Sequence, residues 1–332
     1  VFNGAVGAVR SAAFPGAFGL GSLVGGDGST AGNLLIASED GTIARFASWV
    51  VQFAVNPKAK GAQLVAAHPR GAVNAVAVHP ASHLRCIASG GDAGAVRLWQ
   101  LGAAHRLVAS ADLGTSCTVD ALDFSVCDAG RYLAAGLHRT SSEAYVRILD
   151  GVSLVKVEKR KLGRGRVTAL RFGPDGVALV AACEDGGVYI ITVAGGLFTK
   201  GRLLRPAYFL PSGGPDAAAH VTRLDFSTDS AVLHINDASA RRLGYLSVLG
   251  DATVEGEVGP HELPLVSTND LLRGEEWARW SCPFAWALSC AHAMEDGRGA
   301  ITVAARAKEG RRGAQLVATG DDEGRLRLWH WP

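Results

Sequence analysis

Leu316-Val317-Ala318-Thr319-Gly320-Asp321-Asp322-Glu323-Gly324-Arg325-Leu326-Arg327-Leu328-Trp329 reads as two short strands around one tight turn. Leu316 and Ala318 alternate with polar neighbours, as do Leu326, Leu328 and the arginines between them, which is the period of a half-buried strand. Asp321, Asp322 and Gly324 stand where the chain reverses: Asp can bond nearby backbone, and Gly accepts a positive φ without a Cβ clash. A single hairpin of this kind is ordinary, and its recurrence is what decides the fold.

The same unit, a strand opening on Val, a turn, a second strand, an acidic-Gly turn and a third strand, runs from Val73 to Val78 and on through Cys86–Trp99. It returns from Val119, from Val167 and from Val221, with an early copy at Leu34–Phe46 and the C-terminal one making six. The openings at Val73, Val119, Val167 and Val221 are 46, 48 and 54 residues apart. That brackets the ~40–45-residue, four-stranded blade of a WD40-type β-propeller with longer outer loops. A four-stranded blade hides both faces only against its neighbours, so the six units predict one all-β ring or arc and not separate domains. The blades are placed at about residues 1–50, 51–104, 105–153, 154–200, 201–255 and 256–332 of a single domain, the fourth strand of each being weakly marked. Blade two offers the buried polar chain of many WD blades in His68, Ser89, Asp92 and Trp99, with its Asp one place early. Several other blades lack parts of it and are expected to rely on apolar packing.

The 332 residues, 48% hydrophobic, allow a sizeable core, and no apolar stretch approaches the ~20 residues that span a bilayer. A net charge of +2 gives no global field for nucleic acid or an anionic membrane. The six cysteines are scattered, form no CxxC and have no zinc spacing to a His pair, and no Asn-x-Ser/Thr site occurs. A reducing, intracellular setting follows as the expectation. Val1 opens the chain and Met294 is the one methionine, which reads as a fragment of a longer polypeptide. Residues 1–26, Ala/Gly/Val-rich with Arg10 as their one charge, read as a strand and a Gly-rich loop and not as a targeting segment.

Glu276-Trp277-Ala278-x-Trp280-Ser281-Cys282, followed by Ile301, Arg306-Ala307 and Thr319-Gly320-Asp321-Asp322-x-Gly324, resembles the echinoderm microtubule-associated-protein-like family, in its second, atypical propeller. His220–Ser227 and Leu243-Gly244-Tyr245-Leu246 are similar to the family's preceding blade. The resemblance is specific over about residues 160–332 and generic before that. It implies a microtubule-associated scaffold in the cytoplasm or cytoskeleton, or in a ciliary axoneme, with tubulin or other cytoskeletal or axonemal proteins as partners. In that family one more blade follows the position of Pro332, which implies a ring left open or lacking its final blade.

No catalytic constellation stands out. The sequence holds no P-loop, no His-Glu-x-x-His and no Gly-x-Ser-x-Gly, and Gly163-Arg164-Gly165-Arg166 lacks the third Gly of a dinucleotide site. No cofactor, metal ligand set, nucleic-acid partner or small-molecule substrate is expected. His79 and His83 read as flanking a turn and His138 as a loop residue; Asp321-Asp322 and Glu275-Glu276 read as turn carboxylates. Trp277, Trp280, Trp286, Trp329 and Trp331 read as inter-blade core. One charged cluster remains, Lys156, Lys159, Arg160, Lys161, Arg164 and Arg166, broken only by Glu158, between the third and fourth blades. It is either an edge strand kept solvated by its cations or a salt-sensitive contact for an acidic partner such as tubulin. A second basic stretch lies within Glu295–Gly313. The alternative function is a general WD40 adaptor for peptide motifs, unrelated to tubulin. An enzyme on a propeller scaffold would need convergent carboxylates or a metal in the central channel.

Overall fold

The computed structural model describes residues 2–3, 9–13, 34–39, 41–46, 62–66, 68, 71–101, 106–114, 116–139, 142–204, 221–237, 243–247, 276–282, 301–306, 315–321 and 325–331. After a short β1 (Phe2–Asn3), the first sheet is β2 (Val9–Ala13), β3 (Leu34–Ser38), β4 (Thr42–Phe46) and β5 (Ala62–Ala66). The second is β6 (Val73–Val78), β7 (Cys86–Gly91), β8 (Ala95–Gln100) and β9 (Arg106–Asp112). The third is β10 (Cys117–Phe124), β11 (Tyr132–Arg139), β12 (Glu143–Asp150) and β13 (Lys156–Arg164), and the fourth β14 (Val167–Phe172), β15 (Ala178–Cys183), β16 (Val188–Ala194) and β17 (Leu197–Leu204). The fifth has β18 (Val221–Phe226), β19 (Val232–Asp237) and β20 (Leu243–Ser247), and the sixth β21 (Ile301–Arg306), β22 (Gln315–Asp321) and β23 (Arg325–Trp331). All pairings within these sheets are antiparallel.

Each sheet begins alike. In all six, the pairing of the first two strands skips one residue just after the opening position, at Val9/Ser11, Val73/Ala75, Val119/Ala121, Val167/Ala169, Val221/Arg223 and Ile301/Val303. A bulge at a fixed register bends and twists the strand locally. Just past the skip, the second strand carries Ala37, Gly90, Gly136, Ala182, Asn236 and Gly320 in turn. All but Asn236 are small, and where the residue is Gly the opening Val of the next sheet sits on it. A Cβ on Gly90 would lie 2.4 Å from Val119 Cγ1, and one on Gly136 2.6 Å from Val167 Cγ1. The core therefore lies between sheets. Ala88, Leu98, Leu122 and Leu133 fill the second interface, Val146, Leu170 and Phe198 the third, and Ala182, Val221 and Leu233 the fourth. Each such Val, Leu or Phe side chain, fully withdrawn from water, contributes about 1.5–3 kcal/mol.

Gly320 of the last sheet meets Val9 of the first in the same way, with its ideal Cβ 2.8 Å from Val9 Cγ1. Thr302 Oγ1 donates to Val9 O at 2.9 Å, as Thr168 Oγ1 donates to Val221 O. Strand β1 then pairs with β23, Phe2 opposite Leu326 and Asn3 opposite Arg325, so the N-terminal end supplies the last sheet's fourth strand.

The pattern breaks once. At the junction from the fifth sheet to the sixth, Asn236 takes the place of the Ala or Gly found elsewhere, with Arg223 opposite it. Arg223 reaches across, Nη2 donating to Thr302 O at 2.6 Å and Nη1 to Thr222 O at 3.0 Å. The space beside it holds Glu276–Cys282, in which Trp277, Trp280, Ser281 and Cys282 are buried. Ala278 N donates to Phe226 O at 2.7 Å and Trp277 bridges to Ser227, so this segment lies along β18.

The blade ranges read from sequence are displaced by one strand. Lys156–Arg164 closes the third sheet although it was assigned to the fourth blade, and β5 and β9 likewise close the sheets before them. The Val-opening unit itself starts on the first strand of each sheet, and it is the ranges drawn around it that begin with the preceding sheet's outer strand.

Candidate interaction site

The basic cluster sits on β13, the outermost strand of the third sheet, and on the turn from it into β14. Local carboxylate partners split the six cations into two groups. Arg160 pairs with Glu158 at 2.6 Å and donates through Nε to Phe198 O at 2.9 Å, which ties the third sheet to the fourth. Lys161 pairs with Glu143 at 2.5 Å, and that carboxylate also accepts from Tyr145 Oη at 2.5 Å. Arg166 pairs with Asp120 at 2.7 Å, and the same Asp120 meets His138 Nδ1 at 2.5 Å. His138 is therefore a strand residue of β11 with a carboxylate neighbour and not a loop residue. The second group has no ion pair among the described residues. Lys156 and Arg164 are exposed, and Lys159 stacks its ammonium 3.9 Å from the Tyr145 ring centre.

At the Arg164 end of β13 a cleft of about 690 Å³ opens between the third and fourth sheets. Leu162 and Tyr189 contribute its apolar side, and Glu143, Lys161, Arg164 and Asp185 its charged side. Asp185 is committed to the backbone: its Oδ1 accepts from Gly187 N at 2.9 Å and its Oδ2 from Arg164 N at 3.1 Å. The Asp185-Gly186 turn, with Gly186 at φ +79, thus clamps the end of the preceding sheet's outer strand.

Near the inner ends of the strands a second polar group converges. Asp123 accepts from Phe172 N at 2.8 Å and lies 3.5 Å from Arg279 Nη2 and 3.9 Å from Arg171 Nη1. Asp225 accepts from Ser281 N at 2.9 Å and Arg279 N at 3.1 Å, and Arg171 Nε donates to Ser281 Oγ at 3.3 Å. Burial raises the Asp225 carboxyl above its usual range although arginines stand near it. Burial, with Arg171 close by, lowers Arg223 to about 10. These groups hold one sheet to the next and to the inserted segment. Sequence reasoning missed this network. Its available signal was the repeated Leu-Asp-Phe-Ser at 122–125 and 224–227.

The remaining candidates take structural places. In the second sheet His68 Nε2 and Ser89 Oγ are 3.0 Å apart, and Trp99 Nε1 donates to Ser89 Oγ at 2.9 Å. Asp92 instead accepts from Ala72 N at 3.0 Å and Asn74 Nδ2 at 2.8 Å, so the early Asp leaves the chain to serve the turn. His79 stacks on Phe124 with ring centres 4.8 Å apart. Trp277 and Trp280 are buried at a sheet junction, whereas the side chains of Trp286, Trp329 and Trp331 lie outside the described residues. Asp321 is buried, Glu276 is exposed, and Glu275 and Asp322 lie outside the description. Of Glu295–Gly313, only Ile301–Arg306 is described, and Arg306 lies over the Trp280 ring at 4.6 Å.

The WD domain, G-beta repeat (WD40) pattern matches residues 62–100 and 157–191. Each match begins on an outer strand, β5 or β13, and runs through the first three strands of the next sheet, the same phase as the blade ranges read from sequence. The chain is also similar to the β-propeller domain of Cps50 (Swd1) from Myceliophteria thermophila, at 15% identity over 90% of this chain and 83% of that one, with a TM-score of 0.49. With six bulged antiparallel sheets packed face to face and two stretches matching the repeat, the chain is an all-β propeller of the WD40 type.

Proposed function

We propose that this chain is a non-enzymatic protein-interaction scaffold. The observation that carries this reading is where the polar groups have gone. Those converging at the inner strands (Asp123, Arg171, Asp225, Arg279, Ser281) are engaged with one another and with backbone, which makes them ties between sheets. On the outer strand β13, Lys156, Lys159 and Arg164 are exposed and have no ion pair among the described residues. A propeller whose inner carboxylates and arginines are spent on ties between sheets, and which presents cations on an outer strand, suits passive binding. Fold alone does not assign function, so the partner has to be found by experiment.

The finer reading is a microtubule-associated module acting in the cytoplasm, cytoskeleton or axoneme. Its support is the resemblance of Glu276–Cys282 and the sequence around it, together with a basic strand suited to an acidic protein surface. Co-sedimentation of the chain with purified microtubules at low and moderate salt tests it. Binding that weakens as salt rises is expected, since exposed charges are screened beyond roughly 8–10 Å. No sedimentation at either salt would remove the microtubule reading. The second reading, a general adaptor for peptide motifs, is favoured by Val126, Val177 and Leu197, which are exposed on the strand-connecting turns and beside them. Partner binding indifferent to salt would point there.

A further inference from the structure

We propose that β13 is a docking strand for an extended, acidic segment of a partner protein, which adds to the third sheet as a fifth strand. The inference rests on the scaffold reading above and specifies the partner's chemistry. Strand β13 ends its sheet, so among the described residues one row of its backbone N–H and C=O groups has no strand beside it. It has 9 residues, against 7 for β9 and 8 for β17, the outer strands of the neighbouring sheets. Its exposed side chains are mostly cationic. Arg160 and Lys161 have carboxylate partners within the chain, which leaves Lys156, Lys159 and Arg164 to face solvent over roughly 26 Å of strand. Val155 and Val157, 63% and 47% exposed, lie among them and would pack beside an added strand.

Lysine on a free edge ordinarily keeps other strands away. Here the same charges repel a neutral or basic strand and admit an acidic one, so protection and selectivity come from one set of residues. The main chain would supply register and the three cations the sign of the partner. At the Arg164 end the cleft beside Leu162 and Tyr189 gives the segment's last side chains a place, with Arg164 at its edge. A continuous polyanion fits less well, because Glu143, Glu158 and Asp185 stand along the same track and would oppose evenly spaced phosphates or sulfates.

The test is fluorescence anisotropy with a labelled peptide of alternating Glu and Val, as long as the strand's 9 residues. A second peptide of the same sequence carries methyl groups on alternate backbone nitrogens, and heparin serves as a polyanion without a peptide backbone. The parent peptide is expected to bind. Binding should weaken about tenfold in K156E/K159E/R164E and by a similar factor on methylation, with unchanged thermal melting as the check on folding. Arg106→Glu on β9, the outer strand of the second sheet, should leave binding as it was. Absence of binding, equal binding of the methylated peptide, equal loss in Arg106→Glu, or displacement by heparin at matched charge would each overturn the proposal. If microtubules bind while the peptide does not, the docking strand is wrong and the scaffold reading stands. Peptide binding without microtubule binding supports the strand and removes the microtubule reading.

Discussion

Mild acid should weaken this fold at a pH where its carboxylates are still ionised, because two histidines are buried uncharged. His68 is held at about 4 by burial, with Arg97 near it, and His234, fully enclosed beside Trp277, at about 3, against an ordinary 6.5. Both folded values lie below the unfolded one, so the unfolded chain takes up protons first as pH falls. Their contribution is complete above 6.5 and drains away as pH drops toward 4 for His68 and toward 3 for His234. Each pKa unit corresponds to about 1.36 kcal/mol, so going from about pH 7 to about pH 5 removes about 2 kcal/mol per histidine, or about 4 together. That is a large part of the 5–15 kcal/mol typical of a folded domain. His79, lowered by its burial, adds in the same direction, whereas Asp225, raised by its burial, opposes it as it gains a proton in the folded state. Urea unfolding at the two pH values reads the total. The same pair of curves for His68→Gln and for His234→Gln isolates each group, because Asp225 cancels in the difference. Each variant should lose about half of the pH dependence, even though each is less stable at neutral pH. Equal pH dependence in both variants and the parent would refute the assignment.

Other outcomes follow from the packing. Gly136→Ala would drive a methyl to 2.6 Å from Val167 Cγ1 and should cost about 1–3 kcal/mol. Combined with Val167→Ala, a coupling of at least about 1 kcal/mol is expected, and additive losses would contradict the contact. Arg223→Leu leaves Thr222 O and Thr302 O without their donor and should lower stability by about 2 kcal/mol, measured by urea unfolding; an unchanged midpoint would show that the arginine does not hold the junction. Among the five described cysteines, thiol labelling of the native protein followed by mass spectrometry should mark Cys127, which is exposed, and spare Cys183, whose thiol burial pushes up to about 12, and the enclosed Cys282. Labelling of Cys183 without denaturant would mean that the fourth sheet opens.

The repeat was legible because each unit must solve the same burial problem, and the solution leaves a period in the chain. Val openings, alternation and acidic-Gly turns are local features, and they named the strands and the propeller. The bulge position and the small residues at Gly90, Gly136 and Gly320 were also written in the sequence, but their meaning needs the next sheet's Val to be seen lying on them. The same holds for the cations of β13 and its turn. As a string they form one basic run, and carboxylates from β13, β12 and β10 divide them into paired and unpaired sets.

What the sequence determined by itself is the all-β class, the repeating unit and the residues able to pack between units, because strand periodicity and turn chemistry act over a few residues. The tertiary structure decided the joining of the chain's two ends through β1 and β23, the wedging of Glu276–Cys282 beside β18, and the pairing of Asp123 and Asp225 with arginines far along the chain. Those choices set residues as far apart as Phe2 and Leu326 side by side. No local propensity records them; they follow from how six twisted sheets fit around a common axis.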